Sequence, residues 1–481
     1  MPLRKKLLTG LSEVIQSQVN LIFKSNVAMK QSLHIFNRLV TALLADEAQN
    51  PVAEFIASDN LYQRLDLKLQ KEGISAEQLE ASLKDLVFTT PRTATPAFFN
   101  QLFGGRQDKA ILGDLLAVIL NNSMYTYKAA GPQTGVEKTV LRQVCDMIGW
   151  GEASDGTLAP GGSMTNFMGM LMARDAYNDA ARHEGMKQRM TVYTSVESHY
   201  SISKNAAFAG IGRDNVRKIA TDKFGRMDNA VLRQTVEEDI AKGLHPILIN
   251  CTAATTVLGA YDNIEAAADI AEAFNLWLHV DGAYGGSALL SEKYKHLVAG
   301  VERVDSFTLN AHKMLGTPLG CSLIVVKDKT HLHNSFSNDA SYLYQTDHDD
   351  FNLGKMSLQC GRRNDALKLW VLWKSLGTNG LEAIVDKQFA LADIARDYVR
   401  GHADYTDYSV DDTVAICFNY KSIPAEKICT ALYEHSKLLV GYGSFGEDTF
   451  IRLVTINANN EPADILSFFK TLEEFVASAK L

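Results

Sequence analysis

Between residues 110 and 330 the helical spacing of apolar residues is repeatedly interrupted by short β-branched runs. These are MTVYTS (190–195), PILINCTA (246–253), LWLHVDGA (276–283), SFTLN (306–310) and CSLIVV (321–326). Strands alternating with helices argue for an α/β domain with a mostly parallel, buried sheet. In such a domain, ligands bind beyond the carboxyl ends of the strands. The flanking regions read differently. Residues 1–85 are helical in pattern, with Leu33, Phe36, Leu39, Val40, Leu43 and Leu44 on one face. After about residue 375, two alternating strands, TVAICFNY (413–420) and TFIRLVTIN (449–457), bracket an amphipathic helix near 424–437. A chain of 481 residues exceeds what a single core can serve. The expected division is an N-terminal helical segment (1–90), a large α/β domain (91–370) and a small C-terminal α+β domain (371–481).

Composition excludes several classes. The formal net charge is −8 and the basic residues are scattered, which argues against a nucleic-acid surface or a polybasic membrane anchor. The apolar run LLAVIL (115–120) falls far short of the ~20 residues of a membrane span. The beginning, MPLRKKLLTGLSEVIQ, lacks the apolar stretch of a signal peptide. The six cysteines form no C-x-x-C pair, and Cys251 and Cys321 sit in strand-like runs; cytoplasmic residence is expected. GYGSFG (441–446) matches G-x-G-x-x-G, but a strand follows it rather than a helix, so it is no dinucleotide fingerprint. His331, His333 and His348 lack the spacing of a metal site, and no metal is expected.

Four stretches carry possible chemistry. In APGGSMTN (159–166), Gly161 and Gly162 free the backbone before a helix, and Ser163 and Thr165 add hydroxyls, as a phosphate cradle requires. In LWLHVDGAYGG (276–286), Asp281 ends an apolar strand, and a buried acid there calls for a cationic partner. In SFTLNAHKMLG (306–316), Lys313 closes another strand; a desolvated lysine becomes a nucleophilic amine able to form a Schiff base. In VESHYSISK (196–204), His199 follows a strand, and its ring could lie on a planar cofactor. Each also has an ordinary reading: a Pro-Gly-Gly turn, a strand-end cap, a solvated lysine, a satisfied structural histidine. Jointly they make the parts list for pyridoxal 5'-phosphate (PLP).

The chain resembles the group II PLP-dependent decarboxylases, the family of glutamate, cysteine-sulfinate and aromatic amino-acid decarboxylases. The resemblance runs in family order through FFNQLFGG (98–105), MYTY (124–127), DGTLAPGGSMTNFMGMLMAR (155–174), TSVESHYSISKNAAFAGIG (194–212), TAATTVLGAYD (252–262), LHVDGAYGG (278–286), LNAHKMLGTPLGCS (309–322) and LQCGRRNDALKLWVLWKSLGT (358–378). It implies PLP fold-type I (aspartate-aminotransferase-like), with a mostly parallel seven-stranded sheet in the large domain. It implies a homodimer with active sites near the subunit interface, the N-terminal segment helping to form it. Carried over by position, Lys313 would hold PLP as a Schiff base and Asp281 would pair with the ring nitrogen. His199 and Ala283 would flank the ring. Ser163, Thr165, Asn310 and His312 would bind the phosphate, and Thr256 would lie near the ring hydroxyl.

FFNQL resembles the glutamate and cysteine-sulfinate branch. Arg452 matches the position that meets the substrate carboxylate, with Asn100 and Gln101 as polar contacts to the distal acid. The expected activity is α-decarboxylation of L-glutamate, L-aspartate or L-cysteine sulfinate. The alternatives are another amino acid (diaminobutyrate or aromatic), an aldehyde-forming relative, and a catalytically silent PLP-binding protein. There are departures from the family: N-A-H-K at Asn310 to Lys313 and D-G-A at Asp281 to Ala283. The segment 344–361 looks short and shows no clear counterpart of the loop tyrosine that would protonate Cα; the nearest candidates are His348, which could donate, and Phe351, which could not.

Overall fold

The computed structural model of the protein describes residues 27–338 and 349–479. They group into two compact units: residues up to Thr95 with 434–437, and residues 96–433 with those from 438 onward. The first unit contains helical residues 27–47 (α1) and α2 (Ala76–Thr89). A capping box starts α2: the Ser75 hydroxyl accepts from the Gln78 N–H, and the Gln78 side chain accepts from the Ser75 N–H. Arg38 on α1 grips Glu80 on α2 through two nitrogens, Nε lying 2.8 Å from Oε1.

The second unit is built on a sheet of seven strands: β1 (Asp155–Ala159), β2 (Met190–Ser195), β3 (Val216–Ile219), β4 (His245–Thr252), β5 (Trp277–Gly282), β6 (Ser306–Asn310) and β7 (Ser322–Val326). Their spatial order is β1-β7-β6-β5-β4-β2-β3. Strands β3, β2, β4, β5 and β6 pair in parallel, while β7 runs antiparallel between β6 and β1. The five β-branched runs became β2 and β4 to β7. The two edge strands carry weaker signals. DGTLA in β1 is short and holds a glycine, and VRKI in β3 is buried only at its ends.

Alternate residues of these strands enter two separate cores, as a sheet covered on both faces requires. On one face, Val192, Leu248, Trp277, Ile324 and Val326 pack with the methionines of α5 (Gly162–Tyr177). On the other, Tyr193, Ile249, Leu278, Val280 and Phe307 pack with α4 (Gln133–Ile148), α7 (Asn229–Ala241) and α8 (Ile264–Phe274). Two further helices are α3 (Asp108–Leu120) and the short α6 (Ser201–Phe208).

Beyond the sheet, α9 (Ala366–Gly401) breaks at Gly377, whose φ is 70°. It leads into an antiparallel sheet of β8 (Tyr405–Asp407), β9 (Ala415–Tyr420), β10 (Gly441–Phe445) and β11 (Asp448–Val454), ordered β10-β11-β9-β8. Helices α10 (Ala425–Glu434) and α11 (Pro462–Ala479) complete this region. GYGSF is itself a strand, in a hairpin that pairs Gly441 with Arg452. Among the described residues no helix is long and apolar enough to cross a membrane.

Candidate active site

The parallel strands end at a common edge, where a cavity of about 210 Å³ opens. The carboxyl ends of β4, β5 and β6, the residues after β2 and the N-terminus of α5 all reach it. Of the residues singled out in the sequence, Ser163, His199, Thr256, Asp281, Ala283, Asn310, His312 and Lys313 line this one space.

Lys313 follows β6 in a tight turn, its N–H donating to the Asn310 carbonyl at 3.1 Å. Met314 and Leu315 behind it are buried and hold the turn, and the Met314 carbonyl accepts from Gln388 Nε2 at 2.5 Å. The lysine amine lies 5.9 Å from the centre of the Tyr284 ring. Burial pushes its pKa below the ordinary lysine value, against an opposing pull from the Asp281 carboxylate. That leaves a larger share of free amine than a solvated lysine has.

Both oxygens of the buried Asp281 carboxylate are held. Oδ1 accepts from the Ala283 N–H at 3.1 Å and Oδ2 from Asn166 Nδ2 at 2.7 Å. The His199 ring is fixed through Nδ1, which accepts from the Ser201 N–H at 3.2 Å and contacts the Ser201 hydroxyl at 2.8 Å. Burial lowers its pKa, Asp281 opposing this and Lys313 adding to it, so the ring is neutral near pH 7. Burial, with the Lys313 and Lys368 charges adding, brings His312 to about 4, and its Nδ1 sits 3.0 Å from the Cys321 carbonyl.

At the cavity's other end, Ser163 is exposed in the first turn of α5. Asn310 is buried, and its Oδ1 has no partner among the described residues. Gly162 completes the cradle, since a Cβ there would stand 2.9 Å from both the Ala283 Cβ and Asn310 Nδ2. Ala254, in the wall, takes φ 69°, a conformation that alanine adopts only under constraint.

Other expected residues lie elsewhere. Thr165 is buried in α5, its hydroxyl donating to the Gly162 carbonyl at 2.9 Å. Asn100, Gln101 and Arg452 do not line the cavity. Arg452 stands behind its wall, with Nη1 donating to the Thr256 carbonyl at 2.6 Å and Nη2 to the Asn100 carbonyl at 2.7 Å. His348 lies outside the described residues. Sequence reasoning passed over Asn166, Tyr200 and Tyr284, all in the lining. Asn166 had a signal: it is an amide in the first turns of an otherwise apolar helix.

The residues present fit PLP. A glycine turn with hydroxyl, amide and imidazole groups suits a phosphate, His199 and Ala283 line the same space, a buried carboxylate stands in its wall, and a desolvated amine completes the set. Fold and site together define a fold-type I PLP enzyme. The model of the pyridoxal-dependent decarboxylase conserved domain matches residues 59–421, and the chain belongs to that family. It is 35% identical over 447 residues to the cysteine sulfinic acid decarboxylase of Mus musculus, covering 88% of this chain and 90% of that one. It is 38% identical over 384 residues to the acidic amino acid decarboxylase GADL1 of Bos taurus, covering 79% and 74%. The crystal structure of mouse CSAD superposes with a TM-score of 0.86 at 32% identity, over 91% of this chain and 98% of that one. Oryza sativa TDC with PLP and tryptamine superposes with a TM-score of 0.85 at 25% identity, over 93% and 97%. The protein is a PLP-dependent amino-acid decarboxylase.

Proposed function

We propose that this decarboxylase removes the α-carboxylate of a short acidic L-amino acid: cysteine sulfinate, aspartate or glutamate. Two relatives spanning most of the chain are named for cysteine sulfinic acid and for acidic amino acids, which supports this substrate class. The observation that carries the mechanism is the convergence of Lys313, Asp281 and His199 on one cavity.

PLP, when bound, supplies the electron sink that accepts the pair released as CO₂ departs. The chain's residues supply the rest. Lys313, whose pKa burial lowers, would hold the cofactor aldehyde through its amine. Asp281, its carboxylate fixed by the Ala283 N–H and Asn166, would pair with the ring nitrogen and hold a proton there. His199 and Ala283 would flank the ring. Ser163, Asn310 and His312 would bind the phosphate; Thr165, one turn into α5 and already hydrogen-bonded, supports that turn. Thr256 would lie near the ring hydroxyl. Arg452, fastened to the Thr256 and Asn100 carbonyls, would place a cation near the substrate carboxylate, with Asn100 and Gln101 as polar neighbours. His348 is assigned the return of a proton to Cα on sequence grounds.

We infer a homodimer, supported by the exposed apolar face of α3, and a reducing compartment, supported by the six free cysteines, five of them buried. The test is a panel of L-amino acids with CO₂ detection and identification of the amine by mass. Turnover of the acidic substrates is expected. Turnover of L-DOPA or diaminobutyrate with none on the acidic amino acids overturns the substrate class, and hydrogen peroxide with an aldehyde in place of the amine overturns the reaction. Borohydride reduction after incubation with PLP should fix an adduct at Lys313.

A further inference from the structure

Asp281 is the inner end of a hydrogen-bonded chain that crosses two strands and a helix. From α5, Asn166 Nδ2 donates to Asp281 Oδ2 at 2.7 Å. Asn166 Oδ1 lies 3.1 Å from His279 Nε2, two residues before Asp281 on the same face of β5. His279 Nδ1 lies 2.8 Å from the Ser306 hydroxyl at the start of β6, opposite it in register. That hydroxyl accepts from Trp277 Nε1 at 2.9 Å. All these residues are buried.

The polarity of the chain follows from chemistry at its two ends. The indole N–H of Trp277 can only donate, so it occupies a lone pair of Ser306. The Ser306 proton is then free to point at His279 Nδ1. At the other end the Asp281 carboxylate can only accept, which turns the Asn166 amide so that its oxygen faces His279. His279 must therefore carry its single proton on Nε2. Burial brings its pKa to about 4, so the ring is neutral near pH 7 and serves as one donor and one acceptor. Packing holds the ring in place: a Cβ on Gly169 of α5 would stand 2.9 Å from His279 Nδ1, so only glycine leaves room for it.

We propose that Ser306 and His279 are positioning residues, which act through Asn166 to fix the orientation and charge of Asp281 toward the cofactor ring nitrogen. The chain makes every bond run toward the carboxylate. Without it, Asn166 can rotate its oxygen onto Asp281, replacing an attraction by a repulsion. This rests on the PLP reading of the site given above. Asp281 then keeps one oxygen on the Ala283 N–H, loses the other donor, and binds the ring proton in a less defined geometry.

Two measurements test this. The first needs no cofactor. In protein labelled with ¹⁵N-histidine, with the His279 signal assigned by its loss in His279→Gln, a neutral Nε2–H tautomer at pH 7 is expected. An Nδ1–H tautomer or an imidazolium would overturn the proposal. The second uses holoenzyme of wild type, Ser306→Ala, His279→Leu and His279→Gln, with thermal unfolding of each apo form to show that it folds. Ser306→Ala removes one oxygen far from the cavity and is the safer variant. The midpoint of the visible-absorbance pH titration should move by at least about half a pH unit in Ser306→Ala and His279→Leu. In the same variants kcat should fall at least about fivefold, with KM changed less than about twofold. His279→Gln, whose amide can donate to Asn166, should recover part of both. A merely structural role lowers the unfolding temperature and leaves the midpoint in place, and that outcome overturns the proposal. If wild type itself takes up no PLP, the reading of the site fails; if wild type is normal and the variants match it, only the positioning role fails.

Discussion

Gly162 and Ala283 approach so closely that a Cβ on the glycine would lie 2.9 Å from the alanine Cβ, nearer than real side-chain carbons come. The same atom would press on Asn310 Nδ2 at 2.9 Å, so neither side can give without moving a residue proposed to hold the cofactor. Gly162→Ala should therefore weaken PLP binding about tenfold, the effect of roughly 1.4 kcal/mol of overpacking. Fluorescence titration of the apo protein with PLP measures it. Gly161→Ala is the control, since its Cβ meets nothing within 4 Å. Equal affinities for the two variants would show that the turn does not contact the cofactor.

The sequence made some of this site legible and hid the rest. Asp281 stands at the end of a strand, and Lys313 and His199 follow strands, all marked by β-branched runs, so their convergence at one sheet edge could be anticipated from the α/β pattern. His279 stood in the same quoted run, two residues before Asp281 and hence on the same face, but a strand histidine has many ordinary uses. Its partner Ser306 was beyond reach, because the pairing of His279 with Ser306 depends on the register of β5 and β6. Arg452 was readable as a cation near the substrate, but not as a group fastened to the Thr256 and Asn100 carbonyls. Backbone acceptors leave no trace in side-chain spacing. β1 and β3 escaped because DGTLA is short, holds a glycine and has one β-branched residue, while VRKI is buried only at its ends.

Two buried histidines weaken the fold as pH falls, and the buried Asp262, raised to about 6, partly offsets them. His279 and His312 each fall from the ordinary 6.5 to about 4 in the folded protein. The unfolded chain therefore binds their protons more readily between those values. Their contribution is complete above pH 6.5 and is lost as pH falls toward 4. Each should remove about 1.6 kcal/mol of stability between pH 6.5 and pH 5, the unfolded group being half protonated already at pH 6.5. Urea unfolding of the apo protein at the two values measures the loss. His279→Gln should make it shallower by about one histidine's share. A parallel pair of curves would mean that His279 is already charged when folded.

Arg452, proposed above as a substrate-side cation, should matter more to substrate binding than to cofactor binding. Its two Nη groups span the Thr256 and Asn100 carbonyls, a fork that the single ammonium of lysine cannot reproduce. Arg452→Lys keeps the charge but frees one wall segment. KM for the preferred acidic substrate should rise at least about tenfold, while the PLP dissociation constant changes less than about twofold. Steady-state kinetics beside PLP titration distinguishes the two effects. Equal losses in both would place Arg452 among the cofactor contacts instead.

The helix α3 has two apolar faces of different character. Ala110, Gly113 and Ala117 are buried, and a Cβ on Gly113 would stand 2.8 Å from the Lys368 Cα, so this small-residue stripe lets α3 lie close against α9. The opposite face carries Leu112, Leu115, Leu116 and Ile119, exposed by 50, 40, 45 and 58% and spaced as one helical stripe. Large aliphatic side chains clustered in this way mark an interface, and a second copy of the chain is the occupant inferred here. A stable dimer needs roughly 1,600 Å² of buried surface, of which a central aliphatic stripe is the energetic part. Two glutamates in that stripe would bury charges with no partner. Leu116→Glu combined with Ile119→Glu should therefore convert the dimer to monomer in sedimentation velocity at micromolar concentration. Neither residue supports the fold of its own chain, so far-ultraviolet circular dichroism should be unchanged. A variant that still sediments as a dimer would place the subunit contact on another surface.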